Sequence, residues 1–294
     1  MDIQTNVNHQ MHLLEQLIQQ NNEGVALLTA SNGLQSRRAL RLIHGALTTA
    51  VDLDESFHAT PAALAKTETV LGDISDVCLA VSVPIPAAAT SLLVLDDGAA
   101  ASNSPGGAFY FYRRGLCLKP LQELCHMIPC PRRLIRTCLL ALLMNASLVC
   151  YQLGAVCLQQ RSSHSGKTLS ASARTTKAHQ FFTKAMHLYS QIIELTGLAD
   201  ATTPPCRFTS FVAIAALSNC SWVCLELGLI DQAMQAQSEL MPMLNWHSQQ
   251  AAAAQESGNT LLTDSDQVML NEFSLNHVLL STTGYFSMLP AAAA

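Results

Sequence analysis

Three observations predict a mainly α-helical chain of antiparallel helical hairpins packed side by side. The first is an internal repeat. Asn145-Ala-Ser-Leu-Val-Cys-Tyr-Gln-Leu-Gly154 and Asn219-Cys-Ser-Trp-Val-Cys-Leu-Glu-Leu-Gly228 share the form N-x-S-x-V-C-x-x-L-G, and a weaker copy begins at Asn22-Glu23-Gly24 and runs on through Ala26, Leu27 and Leu28. The second is an apolar stripe at spacings of three and four downstream of each copy: Ala39, Ile43 and Ala46, then Ala185, Tyr189 and Ile192, then Ala233 and Leu240, with Gln237 where a bulky apolar residue is expected. The third is the placement of small residues. Gly24, Ser147 and Ser221 stand two positions after the asparagine, where a small side chain lets the second helix of a pair approach. Gly154 and Gly228 stand where the first helix is expected to end, because glycine adopts the left-handed conformation of a helix terminus at no steric cost.

These signals place helical pairs near 8–53, 132–195 and 208–248. The first pair occupies 1–53, and 54–131 is an insert rich in loops. The second and third pairs fill 132–248, leaving a C-terminal segment, 249–294, that is low in complexity over 249–263 and 291–294 and expected to be partly mobile. Within the insert, Val77, Leu79, Val81, Val83 and Ile85 alternate with smaller or polar residues at a strand-like period of two, while Pro84 and Pro86 confine such a strand to an edge. Residues 96–107 read as a loop. The aromatic run from Phe109 to Tyr112, continuing to Leu118, is compatible with a strand, and Phe273, Leu275, His277 and Leu279 alternate again. A small sheet is therefore expected from the 77–118 insert and the C-terminal segment, pairing part of 108–118 with part of 272–281 against the helices.

The run Leu227-Gly-Leu-Ile-Asp-Gln-Ala233 resembles the inter-helix turn of a tetratricopeptide repeat, and the Asn-x-small start resembles that family's first helix. The resemblance covers roughly 10–50, 136–195 and 210–247. It departs from the family in a turn lengthened around Asn32 and Gly33, in a Ser/Thr-rich insertion from Arg161 to Thr176, and in lacking the proline after the second helix. What it implies is an α-solenoid of degenerate repeats acting as a scaffold or adaptor. A peptide groove would be lined by the inner face of each first helix. By repeat register this gives Asn21, Val25, Leu28 and Thr29, then Met144, Leu148, Tyr151 and Gln152, then Ser218, Trp222, Leu225 and Glu226. Trp222 and Tyr151 are the implied anchors, since aromatic rings bring large apolar area at low entropic cost. That both rings instead fill the core stays open. None of these positions carries Lys or Arg, so a clamp on a terminal carboxylate is not implied. The face suits an apolar or helical peptide, or a second copy of the chain.

Composition bounds the alternatives. Charged residues are only 13% and the net charge is −5, which speaks against nucleic acid or an anionic membrane as partner, since both need a cationic face. The cluster Arg132, Arg133 and Arg136 follows Pro131 and reads as a solvated face at a helix start. The ten cysteines are scattered through apolar stretches and Met1 to Gln20 lacks the cationic start of a targeting signal, so buried thiols in a reducing compartment are expected. The cytoplasm is the default location, with the nucleus open.

Several motifs tempt chemistry. Ser165-Gly-Lys-Thr168 ends like a phosphate loop, but Arg161 stands where the first glycine belongs. Cys117, Cys125, His126 and Cys130 are the densest candidate metal ligands, without the close Cys pair of a zinc site, and His9, His12 and Glu15 share a helix face without a second cluster. The sequons at Asn145 and Asn219 fall inside expected packed helices. No catalytic residue, cofactor or metal is implied. Two rivals remain: an enzyme or metal-binding protein of unknown class, and an integral membrane protein with spans near 138–158 and 208–225. Against the latter, Asn145, Ser147, Gln152, Ser218, Asn219 and Ser221 interrupt both spans, several at equivalent repeat positions.

Overall fold

The structure is a computed structural model, and it describes residues 3–29, 33–58, 80–84, 112–128, 130–159, 170–196, 207–256, 270–271 and 273–275, with Pro129 excepted within its stretch. The described residues are mainly helical. They divide into two compact units, the first comprising Met1–Ala89 and Arg113–Ala213, the second Thr90–Tyr112 and Ile214–Ala294.

In the first unit, α1 (Ile3–Thr29) and α2 (Gly33–His58) form one pair, α4 (Pro131–Gln159) and α5 (Ala171–Thr196) another. Both pairs are antiparallel. Glu23 meets Arg38 and Gly24 meets Ile43 in the first, while in the second Tyr151 meets Phe182 near one end and Arg136 donates to the carbonyl of Leu195 near the other. Helix α2 of the first pair packs on α4 of the second. Helix α4 thus touches α1, α2, a short helix α3 (Leu121–Met127), α5 and a strand, and its residues from 137 to 151 are all buried. Contact on nearly every side explains why its sequence is apolar all round rather than striped. The same surroundings explain its length of uncharged sequence. Helix α4 and α6 (Arg207–Glu226) are long and apolar enough to cross a membrane, yet 89% and 83% of their apolar windows are buried inside the protein.

The small residues act as close-approach points. A Cβ on Gly24 would lie 2.6 Å from Ile43 Cγ1, and one on Gly154 would lie 2.6 Å from the Phe182 ring. Gly154 is therefore not a helix end, contrary to expectation: α4 runs on to Gln159, and the missing Cβ is what admits Phe182. The turn expected to be lengthened around Asn32 and Gly33 falls partly on 30–32, which lie outside the described residues.

Two strands of the first unit, β1 (Ala80–Pro84) and β2 (Arg114–Leu118), pair antiparallel with Val81 opposite Cys117 and Val83 opposite Gly115. This replaces the expected pairing of 108–118 with 272–281. Of that C-terminal stretch, residues 273–275 are helical, as are 270–271, and 276–281 lie outside the described residues. Leu270, Phe273 and Ser274 fit three-to-four spacing, and burial of both Leu270 and Phe273, which alternation would set on opposite faces, agrees with the helix.

In the second unit, α6 from Ile214 onward turns back into α7 (Ile230–Glu256) through a Schellman motif. Gly228 has φ 73°, Leu229 N–H donates to Cys224 O at 2.8 Å, and Gly228 N–H donates to Leu225 O at 3.0 Å. Ser221 Oγ donates to Ala233 O across the turn, the close contact its size allows. Helix α7 takes in 249–256, part of the stretch expected to be mobile; its alanines are the strongest helix formers. Tyr112 and Phe273 are both fully buried here, with ring centroids 6.3 Å apart.

Candidate functional site

A strand leaves backbone donors and acceptors along both edges, and buried ones must find partners. Alternate residues of β2 face opposite edges. Gly115 and Cys117 face β1, so Leu116 and Leu118 present their N–H and C=O to the other side, where no strand lies among the described residues. There the partners are asparagine side chains from the helices. Leu116 N–H donates to Asn145 Oδ1 at 2.8 Å, and Asn145 Nδ2 donates back to Leu116 O at 2.9 Å. Leu118 N–H donates to Asn22 Oδ1 at 2.9 Å, and Asn22 Nδ2 returns to Leu118 O at 2.8 Å.

This two-way exchange reproduces a hydrogen-bonded residue pair of an antiparallel sheet. A carboxamide offers one acceptor oxygen and an NH2 donor, the same pair a peptide group presents, which neither a carboxylate nor an ammonium does. The amides also bond each other. Asn145 Nδ2 donates to Asn21 Oδ1 at 2.7 Å, and Asn21 Nδ2 donates to Leu116 O at 2.9 Å and to Asn22 Oδ1 at 3.1 Å. Asn21 and Asn145 are fully buried, and Asn22 is half-buried.

The second unit holds the same device. Tyr112 N–H donates to Asn219 Oδ1 at 2.8 Å, and Asn219 Nδ2 donates to Tyr112 O at 3.0 Å. Asn22, Asn145 and Asn219 are the asparagines that open the repeat copies, so equivalent positions perform one task. Their targets, 118, 116 and 112, share parity along one segment of chain. An asparagine inside a helix costs roughly 0.5–0.7 kcal/mol against alanine, and its recurrence in register has this compensation.

The expected groove residues are placed as follows. Asn21 belongs to the amide cluster. Val25, Leu28, Met144 and Leu148 of the first unit and Ser218 and Leu225 of the second are buried, and Thr29, Gln152 and Glu226 are half-buried. Tyr151 stacks on Phe182 with centroids 5.5 Å apart, inside the α4–α5 pair, and Trp222 is 7% exposed. Sequence reasoning took Asn22, Asn145 and Asn219 as the opening residues of the repeat copies, within packed helices, and missed their role. The missed signal was the residue type itself. Small residues and apolar stripes follow from packing two helices, whereas a mid-helix amide does not, so its recurrence pointed to a non-local backbone partner.

The candidate metal ligands do not gather: among the described residues no three His, Cys, Asp or Glu side chains are placed to hold an ion. Burial pushes the Cys138 thiol up to about 12, with Cys125 adding to the rise, and Cys150 up to about 11, with Lys184 opposing. Burial also raises Cys117 and Cys125. Cys224 moves the other way, down, through a hydrogen bond with Cys220 that outweighs burial. Protonated buried thiols are poor nucleophiles and poor metal ligands. His9, His12 and Glu15 are exposed on α1, and 161–168, with the phosphate-loop-like run, lies outside the described residues.

No family model matches the chain, and comparison with curated proteins and with solved structures likewise finds no match.

Proposed function

We propose that this protein is a non-enzymatic interaction module, a scaffold or adaptor of tetratricopeptide-like design, whose first helices receive a peptide segment of a partner protein. The observation that carries this reading is the two-way pairing of repeat-equivalent asparagines with extended main chain. Helical pairs in which α2 of one packs on α4 of the next support the solenoid reading, and the repeat turn with Gly228 in the left-handed region supports the family resemblance. Burial of most of α4 and α6 inside the protein supports core helices over membrane spans.

The expected ligand changes in one respect. A helical peptide satisfies its own backbone and has nothing to offer these amides, whereas an extended one presents N–H and C=O in pairs. The test is affinity capture from native cells with the full chain, run beside a variant carrying Asn22→Ala and Asn145→Ala whose helical circular dichroism matches the parent. A protein recovered by the parent and lost by the variant supports the module. Equal recovery by both, or retention of the chain only in detergent-solubilised membranes, refutes it.

A further inference from the structure

Strand β2 occupies the place that the reading above assigns to a partner peptide. Its leucines are inserted and its outward edge is fully matched. Leu116 and Leu118 are each about as buried as core residues, 3% exposed, and both exchange their peptide groups with helix amides. The bonds that Asn21, Asn22 and Asn145 make to Leu116 and Leu118 all go to main chain. What the site reads is therefore an extended backbone with two apolar side chains at spacing two. Cys117, the residue between the two leucines, is only half-buried, so the middle position is lightly constrained.

We propose that β2 is a resident stand-in ligand, and that the external ligand is an extended peptide segment of the form Leu-x-Leu which takes its place by strand exchange. This rests on the interaction-module reading and adds the ligand's chemistry and the competitor it must displace. The basis for exchange is chemical equivalence. An incoming Leu-x-Leu strand recovers the same pairs with Asn145 and Asn22 and buries the same apolar groups, so the net free-energy difference is small although each state is well bonded. Register is set by parity: shifting the strand by one residue would turn its leucine peptide groups toward β1 and its charged or small residues into the core.

The probe is a labelled synthetic peptide of sequence 113–120 with Cys117→Ser, titrated into the full chain and followed by fluorescence anisotropy. The wild-type chain should bind it weakly. A chain carrying Leu116→Pro, which removes the N–H given to Asn145 and loosens the resident strand, should bind it about tenfold or more tightly. Methylating the two leucine amides of the peptide should cost about tenfold, because the site reads main chain. If Leu116→Pro fails to fold, hydrogen exchange on the wild-type chain decides alone: saturating peptide should speed exchange of the chain's own Leu116 and Leu118 amides about tenfold or more. Equal binding to both chains, binding that leaves those amides protected, insensitivity to methylation, or no binding to either chain overturns the exchange. If exchange fails while cellular capture still depends on Asn22 and Asn145, the module stands and this ligand class falls. If capture fails too, both fall.

Discussion

Removing one carboxamide from the amide cluster should be costly in proportion to its burial, and the comparison of Asn145 with Asn22 isolates that dependence. Asn145→Ala leaves the buried Leu116 N–H without its acceptor and Asn21 Oδ1 without its donor, while Leu116 O keeps the bond from Asn21. Orphaning a buried backbone donor costs about 1–3 kcal/mol and the second loss about 1 kcal/mol more. The better helix propensity of alanine returns roughly 0.5–0.7 kcal/mol. The net cost is about 1.3–3.5 kcal/mol, which in a unit of this size lowers the melting midpoint by about 3–14 °C. Asn22→Ala removes a pair that is half-buried, where water can reach the vacated groups, and should cost about 1 kcal/mol or less. Asn145→Asp sharpens the test. It keeps the acceptor for Leu116 N–H but sets a carboxylate against Leu116 O and Asn21 Oδ1, so the folded pKa rises above the unfolded value near ~3.9. A raised folded pKa means its stability contribution is complete below about pH 4 and is lost as pH climbs through the folded value. The assay is thermal melting of the three variants by circular dichroism, with Asn145→Asp repeated from about pH 4 to 7. Asn145→Ala melting with the parent, Asn22→Ala costing more than Asn145→Ala, or Asn145→Asp gaining stability as pH rises would refute the reasoning.

Glycine substitutions should separate close approach from backbone conformation. Gly24→Ala and Gly154→Ala should each destabilise by about 1–3 kcal/mol despite alanine's helix propensity, since a Cβ at 2.6 Å from Ile43 or Phe182 forces repacking. Pairing Gly24→Ala with Ile43→Ala should then cost less than the sum of the two, measured by urea denaturation. Gly228→Ala meets nothing within 4 Å, so its cost of about 1 kcal/mol should come from φ alone and no neighbouring truncation should relieve it. The thiols supply a pH prediction. Cys138 and Cys150 have folded pKa values raised to about 12 and about 11, so their neutral forms stabilise the fold fully below the unfolded value near ~8.5 and that contribution is lost as pH rises toward 11–12. Alkaline melting should show this loss, Cys138→Ala should flatten it, and both thiols should resist iodoacetamide at pH 8.5 until denaturant is added; labelling at the rate of an exposed thiol would contradict their burial.

The hairpins were legible because their cause is local. Apolar stripes such as Ala185, Tyr189 and Ile192 encode one buried helix face, and Gly228 followed by Leu229 and Ile230 encodes a Schellman turn. Gly154 misled because the repeat pattern around it is the same, while the residues after it differ. Ala155, Val156, Cys157 and Leu158 continue a helical apolar run, and the reason for glycine lies in a ring 28 positions away. Sheet pairing was illegible for a related reason. The partner of Cys117 is Val81, and alternation in one strand says which face is apolar but not which other strand completes it. The site was half-legible: Asn21 was placed on the groove face by repeat register, whereas Asn145 and Asn219 were absorbed into the repeat signature that announced them.

That signature also bears on how the groove must behave. If the strand left and nothing replaced it, Asn145 and Asn21 would keep each other but lose Leu116, and Asn22 would lose Leu118, at about 1–3 kcal/mol for each buried group left unmatched. Leu116 and Leu118 would meanwhile give up their burial, about 1.5–3 kcal/mol apiece if they reached water. Leaving the place of β2 vacant is therefore costly to this unit. A purely apolar groove would bear vacancy more easily, since apolar walls can close on each other, while amides aimed at a missing backbone cannot. The asparagines thus make continuous occupancy the rule, and the chain meets it by carrying an occupant of its own. Under the proposed exchange, a partner would have to arrive as an extended strand while β2 departs, with one set of main-chain bonds exchanged for another.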